Sequence, residues 1–377
     1  MKNSYRIISF VLFAALLLNG SLFGQFAYEN GAQESFNKGW LFARGEQSGA
    51  EAMDFDDSGW RSLNLPHDWA IEGPFDKKYN ARAGGLPFHG TGWYRKHFRV
   101  PAGQEGKRVQ ILFDGAMSLA KVWLNGTFIG ERPYGYSGFY FDVTDLVKAG
   151  GENVFVVKLS PEDLSSRWYP GAGIYRNTWI EYNHQVHFAQ WGSYVTTPEI
   201  SDSEALVNAE YTLENHANSE VQIVLVTELK DPSGRVVAEE EKQWTLKPGA
   251  DQVLKQQFVV PDPQRWDLES PSMYTAHSSL SVNGELSDRY DTPFGIRTIE
   301  FSAEEGFKLN GRYLKIQGVC LHHDHGPLGS AVNRRATERQ LEIMKSMGVN
   351  AVRTSHNPPS PELLEYCDRL GLLVQDE

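Results

Sequence analysis

Hydrophobic positions recur with a period of two through most of the chain. In RVQILFDG, Val109, Ile111 and Phe113 fall on one side of an extended segment, and GFYFDVTDLV and NVFVVKLS keep the same alternation. AKVWLNGTFIGE sets Asn125 and Gly126 between two apolar runs, the pattern of a two-residue hairpin turn. Residues 26–184 thus read as many short strands with Gly-rich turns and no helical period, which predicts a jelly-roll β-sandwich. A second alternating block covers residues 185–297. There VNAEYTLEN aligns Val207, Ala209, Tyr211 and Leu213, VQIVLVTEL aligns Val221, Ile223 and Leu225, and a turn at 232–234 leads into RVVAEE. Strand spacing and length predict an immunoglobulin-like β-sandwich that lacks the antibody cysteine pair.

Past Gly295 the period changes. YLKIQGVCLHH predicts a strand, and Thr337-x-x-Gln340 the capping box of a helix running through Leu341, Met344 and Met347 to a stop at Gly348. NAVRTSH predicts the next strand. Ser360 caps a second helix, with Pro361 at its first position and Gly371 at its end, and LLVQDE predicts a third strand. Strand–helix–strand–helix–strand over 298–377 belongs either to a βα barrel or to a doubly wound sheet. Three parallel strands cannot close a barrel, which takes roughly 250 residues. The segment is expected to be loose without further strands, whereas each sandwich can own a core.

Composition supports this mostly β picture: aromatics make up 12% of the chain, and 35 Gly and 18 Pro suit strands joined by tight turns. A net charge of −12 without a dense Lys/Arg stripe speaks against nucleic acid and anionic membranes as partners. At the N-terminus, Lys2 and Arg6 precede an apolar run over 7–18 and small or polar residues over 19–24. Residues 1–24 are therefore expected to be a secretory signal peptide, giving a periplasmic or secreted protein with no membrane partner after its removal. Two cysteines, Cys320 and Cys367, are too few for a disulfide framework and are expected to be buried free thiols.

In a βα barrel the reacting groups sit where strands end at the carboxyl face. Those ends carry His322-His323-Asp324-His325, Arg353 with His356, and Asp376-Glu377, a convergence that suits a small ligand rich in hydroxyls or charges. A zinc site built from His322, Asp324 and His356 is disfavoured by the lack of metal-ligand spacing, so no metal ligand is assigned. Ser355 lacks a nucleophile elbow. Asp376 and Glu377 are consecutive and point to opposite faces, so they cannot be the two carboxylates, roughly 5 Å apart, of a retaining glycosidase. Each polar group has a plainer alternative. His323 and His325 are more simply supporting residues, and Arg353 could neutralise a neighbouring carboxylate. Trp168 and Tyr169 suit either a sugar-stacking platform or packing between sandwich and barrel, and Asp163 and Arg167 either substrate contact or a surface ion pair.

The order FNKGWLFARG, LNLPHDW, GTGWYRKHF, KVWLNGTFIG, SRWYPGAGIYR, FGIRTIEF and NAVRTSHNPPSPELLEYCDRLGLLVQDE resembles glycoside hydrolase family 2 across almost the whole chain. The resemblance implies a multidomain fold: a galactose-binding-like jelly roll, an immunoglobulin-like sandwich and the first part of a (β/α)8 TIM barrel. It implies a retaining exo-β-glycosidase, most simply a β-galactosidase given HHDH and SHNPP, with β-glucuronidase and β-mannosidase as alternatives. His322, Arg353 and His356 match positions lining the family's sugar subsite, and Asp163, Arg167 and Trp168 are weaker candidates. Arg167 stands where some members carry an Asp that contacts sugar hydroxyls, which leaves the sugar open. The acid/base and nucleophile Glu are expected on barrel strands beyond Glu377, so the 377-residue chain is expected to be inactive alone. The residues present require no cofactor. A divalent cation in a longer enzyme and association into a homo-oligomer are left open. A reading of a different class is a non-catalytic carbohydrate-binding or scaffold protein; the presence of His322, Arg353 and His356 counts against it.

Overall fold

The computed structural model describes residues 33–79, 87, 90–162, 166, 168–249 and 251–377. The expected signal peptide at 1–24, and the candidates Asp163 and Arg167, lie outside the described residues.

In the first sandwich an antiparallel six-stranded sheet faces a four-stranded one. Along the first sheet the order is Arg61–Leu63, Trp40–Arg44, Gly92–Arg99, Glu152–Leu159, Ala120–Leu124 and Thr127–Arg132. The second runs Gln33–Ser35, Thr178–Asn183, Arg108–Phe113 and Phe139–Asp142. Val109, Ile111 and Phe113 point into the core, as their period of two predicts, and pack with Trp40, Tyr94 and Phe155. Burying each such ring contributes roughly 1.5–3 kcal/mol. The hairpin at Asn125-Gly126 forms because both residues take positive φ (52° and 83°), which gives the turn a twist matching its strands.

The second sandwich packs the sheet Val186–Ile200, Glu204–Asn215, Gln252–Pro261 on the sheet Val236–Leu246, Val221–Lys230, Met273–Val282, Glu285–Gly295. Val207, Ala209, Tyr211 and Leu213 are fully buried, while the residues between them are only partly covered. This is the alternation expected of a sheet with one wet face.

An antiparallel hairpin unit (Ile299–Ser302, Gly306–Leu309, Arg312–Tyr313) precedes three parallel strands, Gly318–Leu321, Ala351–Thr354 and Leu373–Gln375. Helix α1 (Arg334–Ser346) and helix α2 (Pro361–Leu370) make the crossovers. The two helices and three strands enclose Leu321, Leu341, Val352, Tyr366 and Cys367. Among the described residues no helix is long and apolar enough to cross a membrane.

Four local expectations need correction. The first parallel strand is shorter than YLKIQGVCLHH, because Tyr313 pairs with Lys308 in the preceding hairpin. Helix α1 starts a turn before the expected box: Asn333 is the N-cap, its Oδ1 accepting from the Ala336 N–H at 3.0 Å, and Thr337 lies inside the helix. A side-chain amide carbonyl reaches the free N–H groups of the first turn as well as a hydroxyl does. The third strand ends at Gln375, short of the two acids. Cys320 is exposed and Cys367 buried, both as free thiols. Ser360, Pro361 and Gly371 (φ 69°) do bound α2, although the Ser360 side chain makes no cap hydrogen bond.

The seam between the two sandwiches holds a buried acid. Glu181 is fully buried, held by Gln33 Nε2 at 3.1 Å, and burial with the nearby Asp288 carboxylate pushes its pKa up to about 7. The folded state thus binds a proton more tightly than the unfolded chain. The associated stability is full below the ordinary glutamate range near 4.5 and is lost as pH rises through about 7. Melting temperature should therefore fall across that window, by up to about 1.4 kcal/mol of stability per pH unit. Glu181→Gln, neutral throughout, should flatten the profile; calorimetry showing an equal slope in both proteins would contradict this.

Candidate functional site

The carboxyl ends of the parallel strands meet two stretches of the first sandwich, residues 133–136 and, among those described, 166 and 168–170. Two buried polar residues fix this meeting. The Asp68 carboxylate accepts from the Ala70 and Ala172 N–H groups (both 2.9 Å), the Tyr169 hydroxyl (2.5 Å), and the Ser330 N–H (2.9 Å) and hydroxyl (3.0 Å). Arg176 donates to the Tyr136 carbonyl at 2.8 Å and to the Pro358 and Pro359 carbonyls at 2.7 and 3.1 Å. The NPP segment after the second parallel strand is thereby tied to the sandwich. Asn177 Nδ2 adds a bond to Glu362 in α2 at 2.5 Å.

Between loops and rim lies a cleft of about 360 Å³, large enough for a single sugar ring. Tyr134, Tyr136, Trp168, His322, His356 and Asn357 are among the residues lining it. Trp168 stacks on His322, with ring centroids 4.4 Å apart and planes inclined by 15°, and its Nε1 donates to Asp324 Oδ1 at 2.7 Å. It is also 42% exposed. Trp168 therefore packs against the barrel rim, one of the two roles its sequence left open, and still presents aromatic surface. Tyr169, 5% exposed and bonded to Asp68, is a packing residue.

His322 and His356 stand edge to face at 5.8 Å. Burial lowers the pKa of His322 and favours its neutral form. Arg353 does not line the cleft. Its Nε donates to Glu377 Oε1 at 2.8 Å, and its Nη1 approaches Cys320 Sγ at 3.6 Å. His356 Nδ1 lies 2.9 Å from Glu377 Oε2. Glu377 thus joins the two candidates, and His356, then Arg353, hold its carboxyl below the usual range. The sequence reading assigned Glu377 no such role. The signal was available in the parallel register: Arg353 lies opposite Gln375, which sets Glu377 beside Ser355 and within reach of both neighbours.

Burial pushes His323 down to about 4, and its Nε2–H donates to the Pro170 carbonyl at 3.1 Å, supporting the loop over the cleft. His325 contacts the Thr337 hydroxyl at 3.2 Å. At the rim, Asp324 accepts from the Trp168 indole and His356 meets Glu377, contacts that the zinc alternative would have to share. A different trio, His187, Glu214 and His216, gathers its ligand atoms within 4.8 Å of one another at the junction of the two sandwiches. Only the alternation of the second sandwich was legible there, not the trio.

Domain profiles of one family cover the chain in sequence. Glycosyl hydrolases family 2, sugar binding domain, matches residues 36–184; Glycosyl hydrolases family 2 matches 186–297; and Glycosyl hydrolases family 2, TIM barrel domain, matches 301–377. The chain belongs to glycosyl hydrolases family 2. It is 45% identical over 348 residues to Beta-galactosidase BoGH2A of Bacteroides ovatus, covering 92% of this chain and 41% of that protein. A putative beta-glucuronidase of Formosa agariphila is 33% identical, over 92% of this chain and 33% of its own length. Among solved structures, a family 2 member from Bacteroides cellulosilyticus superposes with a TM-score of 0.89 at 40% identity, covering 92% of this chain and 46% of that one. The chain thus spans less than half the length of these relatives.

The seam leaves no room at Gly171. Its φ is +71°, and a Cβ there would sit 1.8 Å from Ser330 Oγ and 2.9 Å from Asp68 Oδ2. Gly171→Ala should cost about 3 kcal/mol or more, combining left-handed strain with a clash against backbone-anchored groups. Urea unfolding would register it as a lower midpoint, and an unchanged midpoint would show that the seam yields.

Proposed function

We propose that the chain is the substrate-holding part of a retaining exo-β-glycosidase acting on terminal β-galactosides. The observation that carries this is the wall of the cleft: the exposed Trp168 face, stacked on His322 and flanked by His356 and Tyr134, offers a flat apolar surface beside several hydrogen-bonding groups. Such a pairing suits a pyranose, whose C–H face is apolar and whose rim is hydroxylated. Among the described residues lining the cleft are Glu162 and no Lys or Arg, and the Arg353 guanidinium is taken up by Glu377. That favours a neutral hexose over a uronic acid, whose carboxylate would want a cation. The name of the Bacteroides ovatus relative supports the same choice; β-glucuronides and β-mannosides are the next candidates.

In this mechanism one carboxylate attacks the anomeric carbon, a second protonates the leaving oxygen, and water then releases the sugar with retention. His322, His356 and, through Glu377, Arg353 would hold the sugar hydroxyls and steady the charge that develops on the ring. The acid and nucleophile would come from barrel strands other than the three described, so the 377-residue chain by itself should bind without turnover. The charged and apolar pattern of residues 1–24 supports export to the periplasm or medium.

Titrating the purified chain with galactose, mannose and glucuronate, followed by calorimetry, tests this reading. Galactose should bind best, and Trp168→Ala should weaken it about tenfold, near 1.4 kcal/mol. Equal binding by a folded Trp168→Ala protein, or preference for glucuronate, would overturn the assignment. Release of product from an aryl β-galactoside by this chain would overturn the claim that its catalytic pair lies elsewhere.

A further inference from the structure

Away from the rim, the edge of the second sandwich carries a cluster whose chemistry the sugar site does not use. Strands Val186–Ile200 and Glu204–Asn215 pair antiparallel with His187 directly opposite Glu214. Cross-strand partners share a face, and so do residues two apart, so His216 falls on the same side as Glu214. Its N–H continues the ladder by donating to the Gln185 carbonyl at 2.8 Å. Three side chains of two types therefore meet because of strand register alone.

The geometry of the trio is that of ligands without a centre. His216 Nε2 lies 2.6 Å from Glu214 Oε2, and His187 Nε2 lies 3.6 Å from the same oxygen. The two imidazoles are nearly parallel, inclined by 17° with centroids 5.5 Å apart. His187 is 1% exposed, yet neither ring nitrogen has a hydrogen-bond partner among the described residues. The His184 carbonyl faces the ring without meeting hydrogen-bond geometry. A buried imidazole with both nitrogens unsatisfied is costly as a packing residue and apt as a metal ligand. Glu214 and His216 are 15% and 30% exposed at their side chains, so an ion can enter from solvent and keep a water. The Arg108–Asp142 ion pair lies nearby on the first sandwich and brings no net charge to the site.

We propose that His187, Glu214 and His216 form a site for a divalent transition-metal ion, zinc above all, that ties the two opening strands of the second sandwich to each other. Two imidazole nitrogens with one carboxylate oxygen suit zinc, and calcium or magnesium would require a shell of oxygens. With bonds of about 2.0–2.1 Å, ligand atoms around a tetrahedral ion stand roughly 3.4 Å apart. The present atoms, within 4.8 Å of one another, would reach that arrangement by rotation of the exposed His216 and partly exposed Glu214 side chains. The placement gives the ion a structural role. Gln185, two residues before His187, donates to the Gly106 carbonyl of the first sandwich at 2.7 Å, so the ion would sit beside the segment that joins the two.

The test uses the whole chain, purified without a polyhistidine tag and stripped with a chelator. Zinc is added alone and bound metal is counted after equilibrium dialysis; cobalt is used in parallel for its visible absorption. One equivalent of zinc, a tetrahedral cobalt band and a raised melting temperature are expected. His216→Ala and Glu214→Gln, both at partly exposed positions and checked for folding by circular dichroism, should each weaken uptake by more than about 100-fold, the upper cost of losing an outer-shell partner. His356→Ala should leave uptake unchanged. Absence of stoichiometric zinc in the unaltered chain, full uptake by folded His216→Ala and Glu214→Gln, or loss of uptake in His356→Ala would each overturn the proposal.

Discussion

A single carboxylate organises the seam on which the cleft depends. Asp68 is buried, and its carboxyl group is tolerable there because it accepts from three separate stretches of chain: its own loop, the YPGAG loop and the segment after the first parallel strand. Hydrogen bonds to an ionised acceptor are about twice as strong as neutral ones, and a donor left without its acceptor in that environment costs more than the bond is worth. The arrangement is therefore all or nothing. Once Asp68 is satisfied, Tyr169 is fixed, its neighbour Trp168 is delivered to His322, and one wall of the cleft follows.

Arg176 does the corresponding work on the other side. Its guanidinium spans Tyr136, which borders the cleft, and the two prolines that follow the His356 turn. A planar donor fork suits carbonyls presented at fixed spacing, as a Lys ammonium would not. The imidazoles of the rim and the aromatics of the sandwich loops are thus held by groups that never line the cleft. Glu377, joining Arg353 and His356, extends the same logic to the third strand.

The architecture was legible because burial imposes its period on the sequence: Val109, Ile111 and Phe113, or Val207 through Leu213, leave little choice of face. Turn chemistry was equally legible at Asn125-Gly126 and Gly371, where only a left-handed residue closes the chain. Helix starts were less so, since Asn333 and Thr337 both offer a capping side chain and only the fold decides which is reached first. Individual rim residues could be named from the strand ends, but not their division of labour. That Arg353 stands behind the cleft and Trp168 at its face depends on contacts between elements far apart in sequence, the Trp168–Asp324 bond among them. The His187–Glu214–His216 trio was hidden for the same reason, because its members have no motif spacing and meet only through cross-strand register.

The cleft is walled by loops of a sandwich and floored by the ends of parallel strands, and these two surfaces belong to distinct hydrophobic cores. Heritable variation can therefore reshape one without the other. Exchanging Trp168 or Tyr134 alters what is admitted while the strand ends beneath keep their register. A lineage built this way can change what the cleft admits by editing one wall, leaving the geometry of the other intact.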